Sequence, residues 1–177
     1  MLRIRKIVTG TVGSEIAEAA LVIPIFFMIL LGIYWFGRAF NSYATINHAA
    51  REGALAASMS TCASCGNTQT TQSVVAGVVT AALKASGLDP GQILPYAPST
   101  TASCGGIATS CSSTVNHVGL CTNAQLTAAT APGLPVCGVI VSFQYPYSFS
   151  LPFGLPPYGA NGFNLQLKAD VQMKGEY

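Results

Sequence analysis

The residues best placed to do chemistry in this sequence are its six cysteines. Cys62-Ala63-Ser64-Cys65 has the C-x-x-C spacing of thiol–disulfide redox motifs, and Cys104, Cys111, Cys121 and Cys137 follow it. In redox proteins that motif sits beside a βαβ pattern, which does not surround it here. A redox role would also need a thiol of lowered pKa. Zinc is a second use: Cys62, Cys65, Cys104 and Cys111 could supply four thiolates. Structural zinc sites, however, show a second tight pair with two to four spacers, and six residues separate Cys104 from Cys111. The better reading is a disulfide framework, which an even cysteine count on an exported chain favours. Local pairing joins Cys62 with Cys65, Cys104 with Cys111 and Cys121 with Cys137. The first of these closes a tight ring, so Cys62 and Cys65 could instead pair elsewhere.

Other titratable groups are scarce. His48 and His117 are the only histidines, and Asp89 and Asp170 the only aspartates. His48 lies four residues before Glu52, the spacing of a helix-surface pair. No Ser-His-Asp order emerges, so the expectation is a protein that is not an enzyme and takes no metal or cofactor.

The element that must position these residues is the apolar run near the start. From Ala19 to Gly37 there is no charge. A helix rises about 1.5 Å per residue, so these residues are just enough to cross a hydrocarbon core roughly 30 Å thick. Tyr34 and Trp35 stand at the far end, where amphipathic rings favour the membrane boundary, and Arg38 closes the run. Arg3, Arg5 and Lys6 crowd the near side. The positive-inside bias therefore places residues 1–13 in the cytoplasm and exports everything after Gly37. A cleaved secretory peptide would have a shorter apolar region and a small-x-small site, whereas Tyr-Trp-Phe-Gly-Arg follows here.

Gly13 is followed five residues later by Glu18, which abuts the apolar run. Glycine, four spacers and glutamate before a membrane helix is the pattern of a type IV prepilin leader. The wider stretch reads Gly13-Ser14-Glu15-Ile16-Ala17-Glu18-Ala19-Ala20-Leu21-Val22-Ile23-Pro24, then Phe36-Gly37-Arg38, then Ala49-Ala50-Arg51-Glu52-Gly53-Ala54. It resembles the TadE-like pseudopilins of tight-adherence (Flp) pilus systems over residues 13–58. The likeness returns at Val139–Tyr147 and Leu165–Tyr177, and residues 59–137 carry no family signal. The resemblance implies cleavage by a prepilin peptidase between Gly13 and Ser14, with Gly10 and Glu15 as a second register. It also implies an assembly role for Glu18. The partners it implies are the peptidase, other pilins or pseudopilins, and the inner-membrane assembly platform.

Composition sets the bounds. With 177 residues there is room for one membrane helix and one modest exported domain. Charged residues make up 8% and the formal net charge is +2, with three of the eight basic residues in the leader. No basic face remains for nucleic acid. So low a charge content suits a protein buried in a membrane, in partners or in a filament.

The expected fold is α+β and pilin-like: a basic leader (1–13), a long helix (14–58, spanning at about 19–37) and an exported cysteine-bearing domain (59–177) with a short antiparallel sheet. The helix should run to about Ser58, some 65 Å in all. Phe40, Tyr43, Ala44, Asn47, Ala50, Ala54 and Ala57 recur on one face, and Asn41, Thr45, His48 and Glu52 on the other. Small residues let a neighbouring backbone approach, and a seat for the chain's own sheet is the simplest use of them. Pro24 inside the span removes one backbone donor and loosens the helix there.

Beyond the helix, Val74, Val75, Val78, Val79, Ala82 and Leu83 predict a second helix over Thr71–Ser86, closed by Gly87. Asp89-Pro90-Gly91 signals a turn, and Ile93–Ala97 suits a short strand. Ser99–Pro135 reads as a long loop stapled by its cysteines. Val136–Phe149 predicts a strand with Pro146 at an edge or end, and Ser150–Gly162 an irregular connection. Phe163–Lys174 alternates perfectly between apolar and polar residues, a strand with one buried face.

The function implied is structural: a minor pseudopilin in biogenesis of a tight-adherence pilus, held in a bacterial inner membrane with its carboxyl-terminal domain periplasmic or extracellular. A single-pass anchored binding or adhesion domain outside any filament is the alternative. An envelope thiol–disulfide enzyme using Cys62 and Cys65 is a third.

Overall fold

A helix of 47 residues, α1 (Val12–Ser58), opens the fold and continues through Pro24. The computed structural model describes residues 12–59, 70–98, 103–104, 108–126, 136–148 and 164–175. The chain divides into two units, Met1–Ala39 and Phe40–Tyr177. The second, called here the sheet domain, holds the upper part of α1, a second helix α2 (Gln72–Ala85), a 3₁₀ turn (Pro90–Gln92) and four strands. These strands are β1 (Ser110–Ser112), β2 (Gly119–Gln125), β3 (Cys137–Ser148) and β4 (Asn164–Lys174). They form one antiparallel sheet in the order β1-β2-β3-β4, so the fold is α+β.

Each helix end in the sheet domain has an identifiable stop. The last carbonyls of α1 lack intrahelical donors. Thr70 Oγ1 donates to Ala56 O at 3.1 Å and Ser58 Oγ to Leu55 O at 3.0 Å. At the end of α2, Gly87 takes φ +75°. Its N–H donates to Lys84 O and that of Leu88 to Leu83 O, both at 3.0 Å, which is the Schellman pattern. At the start of α2, Gln72 donates to Val118 O and accepts from Ser112 Oγ and Thr114 Oγ1, tying the helix to the β1–β2 connection.

One core joins these elements. Ile46, Ala49, Ala50, Ala54 and Ala57 of α1 cluster with Val75, Val79 and Leu83 of α2. Val139, Val141, Phe143 and Tyr145 of β3 close the cluster with Leu167 and Ala169 of β4. Gly53 is required at the crossing. A Cβ there would lie 2.5 Å from Val79 Cγ2 and 3.6 Å from Val141 Cγ1, and Val79 is itself fully buried and stiff at χ1. The alanines thus seat the chain's own sheet and second helix. The buried face is turned from the one the spacing suggested. Phe40 is 72% exposed, Tyr43 45%, and Ala44 is also exposed, whereas Ile46 and Ala49 are buried. Aromatic content drew the stripe toward residues 40–44, but backbone approach at Gly53 selects residues three and four positions from it.

The 99–135 segment is a further correction: it contains β1 and β2 rather than loop alone. The second strand hides from pattern reading because its register shifts between Cys121 and Ala124, with Asn123 at φ +54°. That bulge breaks the period-two alternation. Conversely, Ile93–Ala97 is no strand; Leu94 makes a single bridge to Gln144, with N–H···O distances of 2.8 and 2.9 Å. Pro146 sits in a strand paired on both sides elsewhere, but β2 reaches along β3 only to Ser142. Its missing donor therefore costs no ladder bond on that side. Ser142 is fully buried and donates to Tyr96 O at 2.9 Å. Tyr145 OH accepts from Asp89 N at 3.2 Å, which pins the 3₁₀ turn to β3, and burial pushes its phenol above the usual tyrosine range.

Candidate functional site

The first unit carries the features that processing and membrane insertion would use. Gly13 and Ser14 lie in the first turn of α1 and Glu18 follows one turn later, about 6 Å along the axis from Ser14. Glu18 is exposed. Beyond it, Leu21, Val22, Ile23, Ile25, Phe26, Phe27, Met28, Ile29 and Leu30 are all exposed, and Phe36 is 80% exposed. Large apolar side chains in such density on a free surface are a liability unless lipid or protein covers them. Within Ile16–Ser58 lies a stretch apolar enough to cross a membrane, and none of that window is buried by the chain itself. The helix therefore has the character of a single-pass membrane anchor. At the end of the run, the Tyr34 and Trp35 rings meet edge to face at 5.5 Å, with the Arg38 guanidinium 5.9 Å from the Trp35 centroid. A cation held over the Trp35 ring is suited to an interface between apolar and wet surroundings.

The cysteines pair differently from the local expectation. Cys104 joins Cys137, and Cys111 joins Cys121. The sheet explains both bonds. Antiparallel register sets Cys111 directly opposite Cys121 across β1 and β2. Cys137 pairs with Gln125, four residues along β2 from Cys121, or about 13 Å, which rules out that bond. Cys104 is set beside β2 by its N–H, which donates to Asn123 O, and from there it reaches Cys137 at the start of β3 across a Cα–Cα distance of 5.5 Å. Cys62 and Cys65 fall outside the described residues. Of the cysteines the structure describes, none is free.

Two polar features of the sheet domain had no signal in the spacing. One is a cleft of about 560 Å³ lined by Thr80, Lys84, Asp89, Gly91, Thr114 and His117, among others. It gathers residues from α2, the 3₁₀ turn and the β1–β2 connection, where Asn116 and His117 turn with φ of 49° and 58°. The other is Lys168, whose Nζ lies 5.0 Å from the Tyr96 ring centroid. His48 Nε2 stands 3.8 Å from Glu52 Oε1 on an exposed face of α1. Among the described residues, no three of His, Cys, Asp and Glu converge as a metal site.

Gly13, Glu18, the uncovered apolar run and the alanine seat therefore all lie on α1. Residues 13–55 match the TadE-like protein family. The match begins at Gly13 and stops within the last turn of α1, so the TadE-like stretch is the helix and not the sheet. No curated protein and no solved structure matches the chain.

Proposed function

We propose that this protein is a minor pseudopilin of a tight-adherence pilus, cut after Gly13 by a prepilin peptidase and anchored in the inner membrane by α1. The observation that carries the reading is the TadE-like match over residues 13–55, coincident with an apolar helix that the rest of the chain leaves uncovered. Arg3, Arg5 and Lys6 favour a cytoplasmic amino terminus, and the two disulfides suit a sheet domain on the oxidising side. Other pilins and the assembly platform are the partners of this reading.

Intact-mass measurement of protein from native membranes tests it. The mature chain should lack residues 1–13, and Gly13→Leu should leave it full-length. Recovery of uncut wild-type protein beside an active peptidase refutes processing at this site.

Cleavage creates a new amine on Ser14, mostly protonated at neutral pH. A neighbouring subunit displaced along a filament could bring that amine to Glu18, in surroundings where low dielectric strengthens the pair. Glu18→Gln should therefore leave insertion and cleavage intact but reduce co-purification with other pilins, while Glu15→Gln does little. Equal behaviour of the two variants would leave only the preference of a helix amino terminus for negative charge.

A further inference from the structure

The sheet ends at β4, whose outer side meets no other strand among the described residues. The opposite edge, β1, is three residues long, short enough to be blunt. In contrast, β4 has eleven residues and no proline, a length that templates another strand unless charge prevents it. Its charges do not prevent it. Lys168 and Asp170 flank Ala169 with opposite signs, so the strand reads as a chemical palindrome about that residue.

Laid antiparallel against a second copy with Ala169 opposite Ala169, every facing pair is compatible. Lys168 faces Asp170 of the other chain, and Asp170 faces its Lys168. Leu167 faces Val171, Leu165 faces Met173, and Gln166 faces Gln172. A two-fold axis normal to the sheet keeps the apolar row on one side and the polar row on the other. Slipping by a single position mixes the rows. Moving the axis to Lys168 or Asp170 sets like charges directly opposite, which is destabilising.

Exposure agrees with this register. Leu167 and Ala169 are buried within the chain, but Leu165, in the same row, is 56% exposed. In the pair it gains Met173 of the other copy. Among the described residues no cation lies within salt-bridge distance of Asp170, and partial burial raises its carboxyl above the usual aspartate range. The Lys168 ammonium is held over Tyr96 on the polar face of β4, the face that Asp170 of a second copy would share. We infer that two copies of this chain join along β4, antiparallel about Ala169, merging their four-stranded sheets into one. The pairing does not depend on processing after Gly13.

The experiment uses the full-length chain in detergent micelles, with unlabelled and nitrogen-15-labelled copies co-assembled and treated with a zero-length carbodiimide. The expected product is an amide between Lys168 of one copy and Asp170 of the other, in peptides of mixed isotope. Lys168→Asp alone and Asp170→Lys alone should each weaken self-association roughly tenfold, since two facing pairs turn repulsive. The double exchange should restore it. Both side chains are exposed, and unchanged thermal unfolding confirms that each variant folds. A wild-type chain that yields no mixed product overturns the inference. So do single variants that associate like wild type, the mark of contact through the anchor. So does a folded double variant that stays monomeric, the mark of a different partner.

Discussion

Phe143→Ala should remove about 3–5 kcal/mol from the stability of the sheet domain. Phe143 is fully buried at the centre of β3, between the alanine seat of α1 and the apolar row of β4. Truncation leaves a cavity that the paired neighbours cannot close, because β3 is held by β4 at eleven positions. Domains are stable by only roughly 5–15 kcal/mol, so the loss is a large share. For a domain of this size the midpoint should fall by about 10–20 °C. Phe40→Ala is the control. The same residue type at 72% exposure should shift unfolding of the full-length protein by no more than about 0.5 kcal/mol. Comparable losses at both positions would mean that the core lies elsewhere.

The second large effect concerns the bridges. Cys104 and Cys137 are 33 residues apart in sequence, Cys111 and Cys121 only 10. Closing the longer loop restricts the unfolded chain more. The chain-entropy relation gives about 3.7 kcal/mol for the first bond and about 2.7 kcal/mol for the second. Replacing Cys104 and Cys137 together by alanine should therefore destabilise the domain more than replacing Cys111 and Cys121. The measurement is denaturant unfolding of the full-length protein without reductant. A reversed order would show that native packing around the hairpin, rather than loop closure, sets the value of each bond.

Much of the architecture could be read from residue spacing because a single period governed each piece. Val75, Val79 and Leu83 repeat at helical spacing along α2, and Leu165, Leu167, Ala169, Val171 and Met173 alternate without a break along β4. Where two constraints overlapped, spacing failed. The bulge at Asn123 erased the alternation of β2, and Gly119 sits where a Cβ would meet Ser142 O at 2.9 Å, so close backbone approach replaced hydrophobicity as the local rule. Disulfide partners were illegible for the same reason, since Cys111 and Cys121 meet through a register that only the assembled sheet defines. On α1, an aromatic such as Phe40 announces that something covers it, but not whether that cover belongs to the same chain. For the candidate site, the Gly13–Glu18 spacing is local and visible in the sequence alone, whereas the cleft beside Lys84 and His117 needs three separate elements to meet.

The alanine seat on α1 has a consequence for biosynthesis. It is made early and covered late, because about eighty residues separate Ala57 from the start of β3 at Cys137. At roughly 5–20 residues per second, the ribosome needs ~4–16 s to cross that interval. Through those seconds the stripe of Ala49, Ala50, Gly53, Ala54 and Ala57 has no sheet to meet. Leucines there would offer a sticky surface to any passing nascent chain. Alanines and a glycine offer little, and become adhesive only when β3 and α2 arrive with the bulk that fits them.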